Sequence, residues 1–443
     1  MTTNFFKAGI AVCLGLALSA CGLVGQDGEI LSGDREPIRA EDGFTGVVPA
    51  LVSGSDDIRL PRERNTASWT HSGSDASHAQ PHSTLGQSLT QAWSTQIGQG
   101  QTRKHRITAT PVADRGRIFT MDSVGLVSAL NAEGAILWQV DLSPARDGAD
   151  ASGGGLAVDG ETLYATTAFG RLFAIDASSG DIAWQQNLDA AGSAPPAVAG
   201  GIVYVVGGDS RAWAIDAGTG RINWTLSGVP SVQSLTGGGA PAIGRSLAIF
   251  PFANGDVEAV FRRGGFNRWT AAVSGGREGF AVSTVTEIAS DPVISNGRVY
   301  VGNFSGRLAA FNATTGSRIW TAQNGALGSI VPVGSNDLFT ISDQNQLMRL
   351  SARNGETIWS KQLPHFLDER EKRRSEVVEH YGPLFAGGRL LVASSDGLVR
   401  QFNLQDGAEL GSISITGGAA SDPIVVDGTM YIVNANGQLI AFR

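Results

Sequence analysis

The stretch Ala174-Ile-Asp-Ala-Ser-Ser-Gly-Asp-Ile-Ala-Trp184 decides the fold, because the chain writes it repeatedly. Ala214-Ile-Asp-Ala-Gly-Thr-Gly-Arg-Ile-Asn-Trp224 and Ala310-Phe-Asn-Ala-Thr-Thr-Gly-Ser-Arg-Ile-Trp320 follow the same pattern. Ala129-Leu-Asn-Ala-Glu-Gly-Ala-Ile-Leu-Trp138 and Leu350-Ser-Ala-Arg-Asn-Gly-Glu-Thr-Ile-Trp359 continue it, and Trp269 closes a looser copy. Counting Trp93, the tryptophans stand 45, 46, 40, 45, 51 and 39 residues apart. In the copy ending Gly407-Ala-Glu-Leu-Gly411, glycine stands where the tryptophan is expected.

A second anchor opens a strand about thirty residues before each tryptophan position, as a fixed-period repeat requires. The eight starts are Pro111-Val112, Leu156-Ala157, Pro196-Ala197, Pro241-Ala242, Pro292-Val293, Pro332-Val333, Pro383-Leu384 and Pro423-Ile424. Each leads into a short apolar run such as Arg298-Val-Tyr-Val301, a glycine turn, a second run such as Arg307-Leu-Ala-Ala-Phe311, a polar turn and the tryptophan strand. Short apolar runs between Gly, Asn and Asp clusters are strands joined by hairpins. Four antiparallel strands at this period make one propeller blade. The fold class is therefore all-β, an eight-bladed β-propeller; seven blades would follow if one degenerate copy is misread. The last copy, Pro423 to Phe442, stops after three strands, while Gln91-Ala-Trp93-Ser-Thr-Gln-Ile97 is a lone tryptophan strand ahead of the first full repeat. Pairing the N-terminal strand with the C-terminal three completes the eighth blade and removes the open sheet edges.

The repeated residues have structural work first. Asp176 and Asp216 sit in turns, where Asp, Asn and Gly supply side-chain-to-backbone bonds and positive φ. The tryptophans are expected to stack between neighbouring blades, each covering on the order of 150–250 Å² of apolar surface. With 59 glycines, 17% charged residues, a net charge of −8 and a pI near 5.3, the 443-residue chain has no basic face to offer nucleic acid. No acid–base pair, nucleophile–base pair or metal cluster stands out from the repeats, so catalytic residues, metal and cofactors are expected to be none.

The N-terminus is a targeting segment. Lys7 precedes an apolar run, Ala8 to Ala17, too short to span a bilayer. Leu18-Ser19-Ala20-Cys21-Gly22 resembles the bacterial lipoprotein signal; an ordinary signal peptide with a chance cysteine is the alternative. On this reading residues 1–20 are a signal peptide, Cys21 is lipidated and residues 21–85 are a tether, partly disordered. Residues 86–443 are the propeller. Gly22 after the cysteine implies transfer to the outer membrane, facing the periplasm. Cys13 is lost with the signal, so no internal disulfide is available. Arg62 to His82 is polar, and His71, His78 and His82 read as solvated linker histidines rather than metal ligands; Ile58, Leu60 and Trp69 are candidates for packing on the body.

The repeat Ala-x-Asp-x-x-x-Gly-x-x-x-Trp resembles the tryptophan-docking motif of pyrroloquinoline-quinone propellers over roughly residues 90 to 443. Two families share it: the quinoprotein dehydrogenases, and the BamB lipoproteins of the outer-membrane β-barrel assembly (BAM) machinery. The soluble alcohol dehydrogenases are longer and carry adjacent bridged cysteines. Here the mature chain keeps only the anchor cysteine, and no calcium-site set of Glu, Asn and Asp is found. The resemblance to the BamB family implies a non-catalytic periplasmic scaffold without cofactor. It would bind BamA POTRA domains and other BAM components, with unfolded outer-membrane proteins as further partners, and assist their insertion. The alternative is a quinone-dependent dehydrogenase-like enzyme with a shortened propeller; a small-ligand or peptidoglycan-binding propeller is a third. Two loop patterns carry partner binding in the BamB family. The first, Leu-x-Leu-Arg-Gly-x-x-Ala-Pro, matches Leu235, Gly237, Ala240 and Pro241, with Gln233 and Thr236 departing from it. The second, Asp-x-Asp-x-x-Pro, falls on Glu287-Ile-Ala289-Ser-Asp291-Pro292, so that one acid persists as Glu287 and the other is Ala289. Leu235, Thr236, Gly237, Glu287 and Ile288 are the partner-binding residues this implies; simple inter-blade loops are the plain alternative. Pro364 to His380, with Asp368-Glu-Arg-Glu-Lys-Arg-Arg374, is a charged insertion that reads as a short exposed helix or a solvated loop, and as a candidate second docking element.

Overall fold

The computed structural model describes residues 57–144, 153–190, 194–231, 238–277, 285–368, 370 and 374–443. Cys21, Leu235, Thr236 and Gly237 lie outside the described residues. Among those described, thirty-two strands form eight four-stranded antiparallel sheets and no helix. Seven blades are continuous in sequence: 112–141, 154–187, 197–227, 242–272, 293–322, 331–362 and 380–414. The eighth joins 424–442 to Gln91–Gln96, whose register runs Trp93 opposite Ala441 and Gln96 opposite Gln438. Eight blades, and closure by the N-terminal strand, are as the repeat count requires.

The strand pattern follows from burial on two faces. The second and third strands of each blade are buried almost throughout, as in Val203-Tyr-Val-Val206 and Ala212-Trp-Ala-Ile215, because other blades cover both sides. The outer strands alternate exposed and half-covered residues, as in Ile222–Ser227. An irregularity recurs in the outer pairing of each continuous blade, for example between Ala174 and Ile175.

The tryptophans do seal neighbouring blades, and each meets a glycine. Trp138 of the first blade donates from Nε1 to the Ala177 carbonyl of the second at 3.0 Å, and its ring lies over Gly180. The pattern recurs at seven seams, with Nε1 bonds of 3.0 to 3.3 Å. A Cβ added at Gly134, Gly180, Gly220, Gly265, Gly316, Gly355 or Gly407 would fall 2.5 to 2.8 Å from the facing indole. All seven glycines hold φ between +67° and +85°. Six of these indoles also pack on an aromatic of their own blade's second strand, as Trp184 does on Tyr164 at 6.0 Å, while Trp269 lies against Phe311 of the next blade at 6.4 Å.

A Gly316→Ala substitution combines left-handed backbone strain with a Cβ 2.6 Å from the Trp269 ring. It is expected to lower unfolding free energy by about 2–4 kcal/mol. With Trp269 already replaced by alanine, the clash is gone and the same change should cost only about 1 kcal/mol. Urea denaturation of the two single variants and the double variant measures that coupling.

Candidate functional site

The innermost strands surround a channel and turn one edge toward its axis. Such an edge presents backbone amides that need acceptors. Residues 64–87 provide them, wound once around the channel as a strap. At the equivalent position of six of the eight inner strands the amide meets the strap: Ala113 donates to Trp69 O (2.7 Å), Val158 to Thr70 O (2.9 Å) and Val198 to His71 Nε2 (2.9 Å). The series continues with Ile243 to Ala76 O (2.6 Å), Ile294 to Ser77 O (2.9 Å) and Phe385 to Gln80 Oε1 (3.1 Å). The structure shifts the sixth anchor read from sequence: Pro332 sits at the middle of its strand, the level of Ala113 and Ile294, two residues later than the other anchor prolines, and it has no N–H to satisfy. The eighth blade is tied by Asp427 N to Thr66 O at 2.9 Å.

This corrects the reading of the histidines as solvated linker residues. His71, His78 and His82 are 3%, 2% and 7% exposed. His82 Nε2 accepts from Gly388 N at 3.0 Å, its Nδ1 lies 2.8 Å from Pro61 O, and its ring stacks on Phe385 at 4.3 Å. His71 must keep an Nε2 lone pair for Val198, and burial, aided by His78, pushes its pKa down to about 3. Trp69 is buried and Ile58 packs against the core between blades six and seven, whereas Leu60 is exposed. A polar composition misled because the strap bonds through backbone and ring nitrogens, which polar residues supply while buried.

The loops entering the inner strands line a cavity of about 360 Å³ that Gly73 and His78 of the strap border. Two Asp-Pro pairs organise its wall. Asp291 accepts from Ala240 N at 2.7 Å and from the Ser72 hydroxyl at 2.5 Å. Asp422 accepts from Gly382 N at 2.6 Å and from the Ser329 hydroxyl at 3.3 Å. In both, the acid before one blade's proline holds the amide of the residue before the preceding blade's proline. Burial pushes the Asp422 carboxyl up to about 6; the Gly382 amide and Ser329 hydroxyl oppose this and the Asp291 charge adds to it.

Of the partner residues read from sequence, Glu287 and Ile288 are 3% and 2% exposed and border this cavity. Ile288 bridges to Asn303 and packs with Val273, Val299 and Val301, and the Glu287 carbonyl accepts from Phe304 N at 3.3 Å. Leu235, Thr236 and Gly237 stand three to five residues before Ala240, whose amide Asp291 holds, so the two family patterns meet at one bond. Sequence reasoning missed Asp291, Asp422 and His78 as cavity residues. Ser-Asp-Pro, written at 290–292 and again at 421–423, was the available signal. In the charged insertion the described residues form no helix: Leu367 N reaches Glu376 O and Val378 N reaches His365 O, an irregular hairpin.

A closed ring of tryptophan-docked blades with a loop face and a strapped channel places the chain among the propellers of the quinone-protein type. A model of the family described as outer membrane protein assembly factor BamB matches residues 123–361, 306–410 and 370–443. BamB of Escherichia coli K12 is 31% identical over 360 residues, covering 79% of this chain and 88% of that protein. BamB of Yersinia pestis is 26% identical over 364 residues, covering 80% and 89%. The chain belongs to this BamB family. Among solved structures, BamB from Moraxella catarrhalis superposes with a TM-score of 0.66 at 20% identity, covering 80% of this chain and all of that one. Quinohemoprotein alcohol dehydrogenase from Comamonas testosteroni gives 0.64 at 15%, covering 86% and 81%, a likeness of fold. The strap lies outside the residues the family model matches.

Two outcomes follow from the strap and its clamp. His71 is neutral in the fold with its pKa below the unfolded value, so the unfolded chain binds the extra proton between pH 6.5 and about 3. Stability is therefore full above pH 6.5 and falls as pH drops, by about 3 kcal/mol at pH 4; denaturation curves of the native chain and His71→Gln should diverge in slope across that window. Asp291→Ala strands the Ala240 amide and the Ser72 hydroxyl, at a cost of roughly 1–3 kcal/mol. Hydrogen exchange should then quicken at 238–241 and 70–74, with Gly382 unchanged.

Proposed function

We propose that this chain is a non-catalytic periplasmic scaffold that takes part in outer-membrane protein assembly as a component of the BAM complex. The observation that carries the reading is its membership of a family whose relatives, at 31% identity over most of both chains, are named outer membrane protein assembly factors. Residues 1–20 leave as a signal peptide and Cys21 carries the lipid that holds the protein at the periplasmic face of the outer membrane. The residues after Cys21 lead to the propeller, residues 86–443. The loop face docks BamA POTRA domains through the loop of Leu235, Thr236 and Gly237. Glu287 and Ile288, being buried, serve by holding the adjoining loop in place. Rigidity supports this role: a ring sealed at its seams and tied across its channel presents loops in fixed positions, which reduces the ordering cost of binding. The rival, a shortened quinone dehydrogenase, rests on likeness of fold alone.

A tagged chain purified from solubilised outer membranes should bring barrel-assembly components with it. Replacing Leu235, Thr236 and Gly237 by a Gly-Ser linker should cut that recovery about tenfold, roughly 1.4 kcal/mol, without shifting the melting temperature. Cys21→Ala should move the protein from the membrane to the soluble fraction. Recovery of no assembly component with the native chain overturns the scaffold reading.

A further inference from the structure

We propose that the turns of the fourth blade, on the side of the ring away from the loop face, lie against an anionic phospholipid surface. In a four-stranded antiparallel blade the first and third turns lie at one end, and the second turn and the connections between blades at the other. The loop face is the latter. At the former, Phe261-Arg262-Arg263-Gly264-Gly265-Phe266 joins the third and outer strands of the fourth blade.

That turn departs from the repeat in a way the fold does not require. Gly265 lies under the Trp224 indole as Gly180 lies under that of Trp138, so the two turns align residue for residue. Where Phe261 stands, the second blade has Asp176, whose carboxylate accepts from Ser178 N at 2.8 Å and Ser179 N at 3.0 Å. Asn131, Asp216 and Asn312 do the same in their own blades. Phe261 gives up those bonds, and it and Phe266 are 43% and 73% exposed. Phe266 is the most exposed large apolar side chain among the described residues.

The second observation is charge. Arg262 donates from its backbone N to Ser246 O at 3.1 Å and from its guanidinium to the Ala199 and Arg245 carbonyls, which sets Arg245 of the blade's first turn beside it. Arg263 and Arg268 complete the group, and Arg245, Arg263 and Arg268 are exposed. Among the described residues no carboxylate forms an ion pair with any of the four. The corresponding turns of the second blade carry Asp159, Glu161, Asp176 and Asp181 instead, so the positive charge is local to one arc of the ring. Salt screens exposed charges more than about 8 Å away, so the net charge of −8 does not cancel that arc. Apolar rings flanked by guanidinium groups match a membrane interface, where the rings enter the headgroup boundary and the arginines meet phosphates.

The third observation is where the chain enters the body. Ile58 N donates to Gln405 Oε1 at 3.2 Å in a turn of the seventh blade, and the Arg59 carbonyl lies against Gly334 in a turn of the sixth. The segment that follows Cys21 therefore joins the propeller at the same end as the arginines. An acidic protein surface would match the charge alone; the entry point favours the bilayer. The inference rests on the lipoprotein reading for the presence of that bilayer. Four arginines and an exposed ring orient a protein that a lipid holds, and do not anchor it without one.

The full chain carrying Cys21→Ala should sediment at low salt with vesicles of phosphatidylethanolamine and about one-third phosphatidylglycerol. Partition should be at least tenfold stronger than into phosphatidylcholine vesicles and should be lost at about 0.5 M salt. Phe266→Ser, and Arg245→Gln combined with Arg263→Gln, should each weaken it at least threefold, whereas Leu137→Ser, on the exposed outer strand of the first blade, should not. The residues before the propeller are common to all these chains, so differences among them read the turns alone. No binding to the anionic vesicles, equal binding to the neutral ones, or undiminished binding of both turn variants would overturn the proposal. So would turn variants that lose assembly components on co-purification while binding vesicles as the native turns do, which would make the arc a protein contact. Should a turn variant fail to fold, the dependence on lipid charge and salt decides. Co-purification of the native chain tests the scaffold reading separately, so either can fail alone.

Discussion

The structure depends on one contact repeated around the ring: an indole laid on a glycine of the next blade. Only a residue without a side chain lets the ring approach the turn backbone closely enough for Nε1 to reach the carbonyl, and the turn's positive φ asks for the same residue. Motif residues separated in sequence thus answer one requirement. The copy in which Gly411 replaces tryptophan obeys the same logic. Its indole would have to dock on the turn between the third and outer strands of the eighth blade, and there the chain is interrupted, with Phe442 on one side and Gln91 on the other. The seam without a tryptophan is the seam without a turn.

Ring closure leaves a second set of edges unanswered, those facing the axis. Outer edges face water, which satisfies their amides. Inner edges face one another across a channel, and the strap lies along them at one level, blade after blade. Its order of contact follows the ring, from Thr66 at the eighth blade through Trp69, Thr70 and His71 to Ser83 beside the seventh. In the sixth blade that level is taken by Pro332, which has no amide to satisfy, and the eighth blade is tied two residues further on, at Asp427.

This explains what could be read from the sequence and what could not. Blade number, strand order and closure were legible because turn chemistry and the tryptophan are local and periodic, and the unfinished last copy pointed to its missing strand. The strap was not legible. It pairs through main-chain carbonyls, which every residue carries, and its side chains that matter, His71, His78, His82 and Gln80, look like solvent-facing residues until their partners are known. The loop patterns around Ala240 and Asp291 were visible as two separate matches. That one bond of 2.7 Å joins them depends on blades four and five being neighbours in space.

Strap and loop face are mechanically one system. Asp291 receives the strap's Ser72 hydroxyl on one oxygen and the loop's Ala240 amide on the other, so a single carboxylate ties the strap to the loop face. His78 does the same from the strap side, reaching the carbonyl of Pro292, the next residue. Movement of the strap at this point would have to disturb both bonds, and with them the loop that leads into the fourth blade. The frame built from repeats holds the blades; the departures from the repeat, at Ser72, His78, Ala240 and Asp291, hold the face that the blades carry.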